Sequence, residues 1–273
     1  MSAVPQILDR ITRVTPLGIR FWDEVTSAPV AAPLTLTGYF ATHPDRKKQP
    51  VRNYSNVYAF YGLPGMRAFE YGTGDAAFWS GQPAPRPFEI EVQDPSGQFL
   101  PARFTALVPT RGIFELPLSP PPGFAGVPLY SAPGRATIGG MAAIRLELYE
   151  AIGRPAAWAR VEAAYSPLAA PARAMSDAQG RATLLFPYPE PVEPDAGSPP
   201  GAPGIPFQRQ VWTVAIAAWY SPAVPVPGLP DLSAFFGQRP APLWSDAAKS
   251  RSFSEISIAY GRETGQVLVV TPA

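Results

Sequence analysis

The chain has 273 residues, of which 46% are apolar, 12% aromatic and 16% charged, and its net charge is +1 at pH 7. This balance lacks the basic footprint of a nucleic-acid binder, and the absence of cysteine excludes disulfides, iron–sulfur clusters and thiol catalysis. The 37 prolines exclude a mostly helical fold, because an interior proline removes a helix hydrogen bond, whereas prolines at sheet edges and corners cost little.

The aromatic content argues against disorder, and the length suits two domains of about 100–150 residues. No apolar run reaches the ~20 residues that span a bilayer; the longest, Val211–Tyr220, has the length of a buried strand. The opening residues carry neither a basic region nor an apolar one, so no signal peptide is read there and folding in the cytoplasm is expected.

Leu17–Trp22 alternates as a half-buried strand does, and Leu34–Phe40 repeats the pattern with a clean period of two. His43–Asn53, with the basic run Arg46-Lys47-Lys48, reads as a solvated loop. Val57–Phe60 is a strand ending at the corner Leu63-Pro64-Gly65, and Met66–Tyr71 alternates again. Gly72–Pro87 is loop-like. Phe88–Val92 is a strand, Asp94-Pro95-Ser96-Gly97 a turn, and Phe99–Val108 continues a hairpin if Pro101 takes an edge or bulge position. Residues 117–134, dense in proline, read as an interdomain linker of polyproline II character.

In the second half, Ala143–Tyr149 is a period-two strand. Ala157–Tyr165 sets Trp158, Arg160 and Glu162 against Ala157, Ala159, Val161 and Ala163, with a short helix as the rival reading. Asp177-Ala178-Gln179-Gly180 is a turn before the strand Ala182–Phe186, and residues 187–206 form a proline-rich excursion. Another proline-rich run covers 222–230. Asp231–Phe236 reads as one helical turn capped by Asp231 or Ser233, and Ser254–Tyr260 with Gln266–Val270 as a closing hairpin around residues 261–265.

Catalytic patterns are missing. His43 is the only histidine, and the chain has no G-x-S-x-G elbow, no phosphate loop and no G-x-G-x-x-G. One histidine without cysteine falls short of a zinc site, and Glu89 and Glu91 share one strand face directed at solvent. No catalytic, cofactor-binding or metal-ligating residue is therefore assigned, and the chain is expected not to be an enzyme. The candidate contact residues are aromatic and apolar: Trp79 in a Ser/Gly/Gln loop, then Phe235, Phe236, Leu243 and Trp244 in the apolar arm from Pro222 to Trp244. An arm this apolar packs either on its own domain or on a neighbouring subunit.

The phrase Val57-Tyr58-Ala59-Phe60-Tyr61-Gly62-Leu63-Pro64-Gly65, with its upstream Leu34-Thr-Leu-Thr-Gly38 strand, resembles transthyretin-like, carboxypeptidase-regulatory and collagen-adhesin-B modules. So do Pro155–Val161 and Asp177-x-x-Gly180-Arg181-x-x-Leu184; together the matches span residues 17–110 and 140–220. The resemblance implies an all-β chain of two tandem immunoglobulin/transthyretin-like β-sandwiches: residues 1–120, a proline-rich linker at 121–140, and 141–273 with a C-terminal arm.

The order Asp23-x-x-Thr26-x-x-Pro29-Val30, Gly62-Leu63-Pro64-Gly65, then Val92-x-Asp94-x-x-Gly97-x-Phe99-Leu100-Pro101 is similar to accessory proteins of phage-tail-like contractile injection systems. That resemblance implies a structural subunit, a cap or adaptor. It would be assembled with other protein subunits in the bacterial cytoplasm and could be released within an extracellular particle, needing no cofactor, nucleic acid or membrane span. The alternative expectation is a β-sandwich module that binds carbohydrate or a surface ligand.

Overall fold

The computed structural model describes residues 13–82, 84–116, 125–166, 168, 170–190, 209–222 and 229–272. It is mostly β, with 44% strand and 7% helix. The parts of the expected linker at 117–124, of the excursion at 191–206 and of the arm at 223–228 lie outside the described residues.

The elements follow the chain as β1 (Leu17–Asp23), β2 (Ala28–Pro29), β3 (Thr35–Phe40), β4 (Val51–Arg52), β5 (Val57–Phe60), α1 (Arg67–Glu70), α2 (Ala76–Ser80), β6 (Arg86–Gln93), β7 (Ala102–Val108), β8 (Ile113–Phe114) and β9 (Val127–Leu129). They continue as β10 (Met141–Glu150), β11 (Arg160–Ala164), β12 (Ala172–Met175), β13 (Arg181–Pro187), β14 (Val211–Trp219), α3 (Leu232–Phe236), β15 (Pro240–Ala241), β16 (Leu243–Trp244), β17 (Glu255–Ala259) and β18 (Thr264–Val270).

The chain divides into two compact units. One holds the described residues up to Phe21 with Leu36–Ile90 and Thr105–Val127; the other holds Trp22–Thr35, Glu91–Phe104 and everything from Pro128 onward. In the first unit β5 lies antiparallel to β1 with Leu17 opposite Phe60, β8 runs parallel to β1, and β4 extends β5. Its core gathers Phe40 and Phe60 edge-on around Phe88 at centroid distances of 5.0 and 5.3 Å.

In the second unit two sheets share one sandwich-like core. One runs β13-β10-β18-β16; the other runs β12-β11-β14-β15, with β17 also on β14. Strand β14 alternates as its sequence dictates: Trp212, Val214, Ile216 and Ala218 are buried, while Val211, Thr213, Ala215 and Ala217 are exposed.

Four turns share one construction. In each, an Asn or Asp accepts the backbone N–H four residues on, and the residue three positions on has positive φ. Asn53 takes Val57 N–H with Asn56 at φ 58°, and Asp94 takes Gln98 N–H with Gly97 at 70°. Asp177 takes Arg181 N–H with Gly180 at 77°, and Asp246 takes Ser250 N–H with Lys249 at 56°. The side-chain oxygen does the work of a backbone acceptor and closes the turn. The Asp177 turn is therefore the motif seen in the sequence, and Asp94 repeats it.

Several expectations are corrected. Residues 66–71 contain the helix α1, and the stretch read as a loop around Trp79 contains α2, capped by Asp75, which accepts Phe78 N–H at 2.8 Å. The described end of the linker is no free spacer: Val127, Leu129, Tyr130, Ser131 and Arg135 are buried. The closing hairpin does not exist, because β17 pairs with β14 in one sheet and β18 runs parallel to β10 in the other. Ile256, Ile258, Leu268 and Val270 all enter one core from the two sheets, and period two cannot distinguish that from edge pairing. Of Ala157–Tyr165 only Arg160–Ala164 is strand, β11; Ala157 and Trp158 form a turn with Trp158 at φ 63°, and Asp231 caps α3 by accepting Ser233 N–H at 2.8 Å.

A Cβ at Gly180 would lie 2.2 Å from the Leu148 carbonyl oxygen, whereas one at Gly97 would meet nothing within 4 Å. Gly97→Ala should cost only the left-handed backbone penalty, about 1–2 kcal/mol. Gly180→Ala should cost at least ~2 kcal/mol more, since a backbone carbonyl must move. Urea unfolding of both variants checks the difference.

Candidate functional site

The densest polar constellation lies on the outer face of the β12-β11-β14 sheet, in the second unit. Val161, Ala163 and Ala174 point into the core, so Arg160, Glu162 and Arg173 point out. Register sets Arg160 beside Trp219 and Glu162 beside Arg173. The Arg160 guanidinium lies 4.2 Å over the Trp219 ring, and Arg173 Nε donates to Glu162 at 3.2 Å.

The turn after β1 brings two carboxylates to this unit. Asp23 accepts Val25 N–H and the Thr26 hydroxyl, each at 3.0 Å. It also receives both Nη groups of Arg135, at 2.9 and 2.6 Å, with both side chains buried. Arg135 lies 4.9 Å over the Phe99 ring and donates to Ser131 Oγ. Burial opposes the Asp23 charge, but the bonds from Arg135, Val25 and Thr26 outweigh it and hold the carboxyl below its usual range.

Glu24 is the contrasting case. Its side chain is 9% exposed, and its nearest cation, Arg173, is 3.7 Å away. Burial pushes its carboxyl up to about 7; Arg173 opposes this, and the charges of Asp23 and Glu162 add to it. Glu24 Oε2, Tyr130 OH, Arg160 Nε and Trp22 Nε1 are buried without a hydrogen-bond partner. Burial likewise raises the Tyr130 hydroxyl, which feels the charges of Glu24, Arg173, Arg160 and Glu162.

This arrangement can take up and release a proton near neutrality, and it ties the Glu24 turn to β12 and β11. It offers no nucleophile beside a base. Among the described residues no three His, Asp or Glu side chains converge to hold a metal ion. His43 lies in an exposed loop against Thr42 Oγ1 at 2.9 Å, and Glu89 accepts the Thr105 hydroxyl.

The expected contact residues fall in two separate places. Trp79 sits half-buried on α2, edge-on to Phe69 at 5.2 Å and to Phe78 at 5.8 Å. Phe235 and Leu243 are buried inside the second unit, the Phe235 ring packing at a tilt against Tyr130 at 4.8 Å. Phe236 and Trp244 are half-buried, with Trp244 Nε1 donating to Thr271 Oγ1 at 3.1 Å. The described part of the arm thus packs on its own unit, because α3 turns Leu232 and Phe235 inward together. Sequence reasoning missed Asp23, Glu24, Arg135 and Arg173. The phrase Asp23-x-x-Thr26 was visible, but its partner Arg135 lies 112 positions away.

Beyond the covered end, the outer face of β14 continues as Val211, Thr213, Ala215 and Ala217, all exposed, with Ala164 on one side and Ser257 and the exposed carboxylate Glu255, opposite Ala215, on the other. An open groove of about 420 Å³ adjoins it, lined by Ser245, Ser252, Ser254, Arg251, Glu255 and Gln266 among others, with Phe253.

No family model matches the chain, and neither does any curated protein. Among solved structures, the Bacillus anthracis TIE protein aligns over 95% of this chain and 34% of its own at 9% identity, with a TM-score of 0.25. The chain thus spans about a third of that protein's length.

Two outcomes follow from the cluster. Glu24 has a folded pKa of about 7 against 4.5 unfolded, so the unfolded state binds fewer protons between those values. Its contribution to stability is therefore complete below pH 4.5 and is lost as pH rises to 7, by up to about 3 kcal/mol. Glu24→Gln should flatten that slope and gain on the wild type at pH 8 but not at pH 4.5, as urea unfolding at several pH values would read. Arg135→Met leaves Asp23 buried and unpaired and should cost about 3–5 kcal/mol, most of it recovered when Asp23→Asn is added.

Proposed function

We propose that this chain is a non-enzymatic structural subunit of a bacterial phage-tail-like contractile injection particle. In this reading it is a cap or adaptor of two tandem immunoglobulin/transthyretin-like sandwiches that assembles in the cytoplasm with other protein subunits. The observation that carries the reading is the outer face of β14, whose own exposed residues are uncharged and whose neighbour β17 adds one carboxylate, Glu255, beside Ala215. Val211 is 62% exposed there, and its companions are Thr213, Ala215, Ala217, Ala164 and Ser257. Side chains this small lose little rotamer entropy when another protein surface covers them, and Glu255 requires a partner group of positive charge or a place at the rim. The similarity of Asp23–Val30, Gly62–Gly65 and Val92–Pro101 to injection-system accessory proteins supplies the kind of assembly.

The test is co-sedimentation of the tagged chain with particles in a bacterium that makes them. Tube, sheath or baseplate proteins should travel with it. Val211→Lys with Thr213→Lys should abolish this, while the melting temperature stays within about 2 °C, because both side chains already face water. A chain that sediments as a free monomer in the presence of particles would sink the reading.

The groove rich in serine hydroxyls, with Arg251, Gln266 and Phe253, favours a second reading, a carbohydrate- or surface-ligand-binding module. Retention on immobilised glycans that Arg251→Ala abolishes would select it.

A further inference from the structure

The Gly62-Leu63-Pro64-Gly65 corner builds a feature of the first unit that the assembly reading does not use. Gly62, at φ 66°, turns the chain so that its N–H donates to Glu70 Oε1 on α1. Glu70 is only 2% exposed, so its carboxylate lies out of water. Its other oxygen receives Arg13 Nη2, and the Arg13 guanidinium lies 4.8 Å from the Tyr61 ring centroid and 5.5 Å from that of Tyr71. One buried carboxylate and two tyrosine rings, of which Tyr71 is 56% exposed, flank a single cation, which is the composition that selects guanidinium or quaternary ammonium groups from water.

The walls and the cation come from different stretches of chain. Tyr61, Gly62, Glu70 and Tyr71 belong to one continuous segment through β5 and α1, held by its own bonds such as Glu70 N–H to Met66 O at 3.0 Å. Arg13 enters from outside that segment, and its side chain stays 44% exposed. Its backbone neighbour Val14 donates N–H to Glu70 O at 2.8 Å, and the Thr15 hydroxyl bonds the Phe60 carbonyl at 3.1 Å. Three consecutive residues, Arg13, Val14 and Thr15, therefore supply the side-chain and backbone bonds to this segment.

We propose that Tyr61, Glu70 and Tyr71 form a receptor for an arginine-bearing peptide, which the chain's own Arg13 fills in cis as an exchangeable latch. The ligand class is an extended peptide presenting a guanidinium, and neutral side chains of the same shape are refused because Glu70 has no water to turn to.

The experiment uses the full chain. Arg13→Ala should lower the melting temperature, and acetyl-Thr-Arg-Val-Thr-amide added in trans should restore it by roughly 3 °C or more. The same peptide with citrulline, the neutral isostere of arginine, should restore nothing. Adding Glu70→Gln to Arg13→Ala should abolish the rescue. Equal rescue by both peptides, or by neither, overturns the proposal.

If Arg13→Ala fails to fold, the wild type still decides. Its Arg13 Nε–H signal should be shifted upfield by the two tyrosine rings. The arginine peptide at ~10 mM, above the millimolar effective concentration of a tethered group, should move the signal toward the free-arginine position. A signal without ring-current shift, or one that the peptide leaves in place, overturns the proposal.

Discussion

The bidentate pair between Asp23 and Arg135 is the constraint on which the second unit depends. It joins positions 112 residues apart, and both side chains are withdrawn from water. Such a pair adds little net stability over an apolar pair of the same shape, because desolvation offsets the attraction. Its effect is on geometry: Asp23 must sit where a planar fork reaches both its oxygens while Val25 N–H and the Thr26 hydroxyl also reach it. That places Glu24, the next residue, against Arg173 and fixes which part of the sheet the turn covers.

The outer face of the β12-β11-β14 sheet is consequently divided. At one end the half-buried Arg160 and Arg173 pair with Glu162, and Arg173 also reaches the buried Glu24. At the other end the outward residues of β14 itself are uncharged, and Glu255 of β17 is the carboxylate beside them. A buried carboxylate such as Glu24 needs a cover that stays in place, whereas side chains that already face water can be covered and uncovered at smaller cost. The division separates a region whose task is internal from one suited to association. The buried Glu24 marks the internal end as the costly one, since its carboxyl titrates near neutrality.

The aromatic residues show how burial removes candidates. Phe235 and Phe236 are adjacent, but α3 sends Phe235 inward onto Tyr130 and leaves Phe236 half-buried at 6.3 Å from the same ring. Trp79 lies among serine and glycine in sequence, yet Asp75 caps a helix that turns it edge-on to Phe69 and Phe78. Apolar character identifies a side chain that must be covered; it does not say whether the cover comes from the same chain.

The amino-acid sequence by itself determined whatever depends on neighbours in the chain. Proline density and period-two runs such as Leu34–Phe40 and Val211–Trp219 settled a β-rich fold, since alternation marks a two-sided strand whatever it pairs with. Asp177-x-x-Gly180 and Asp94-x-x-Gly97 were legible as turns because the carboxylate bonds backbone only four residues on. Tertiary structure alone decided what depends on distant partners. The runs at 255–259 and 264–270 alternate alike, and only the shared core shows that they belong to opposite sheets. Asp23 and Arg135, Glu24 and Arg173, and Arg13 between Tyr61 and Tyr71 carry no mark of one another in sequence. Charge and ring contacts are set by the fold that brings them together, and nothing in their spacing records it.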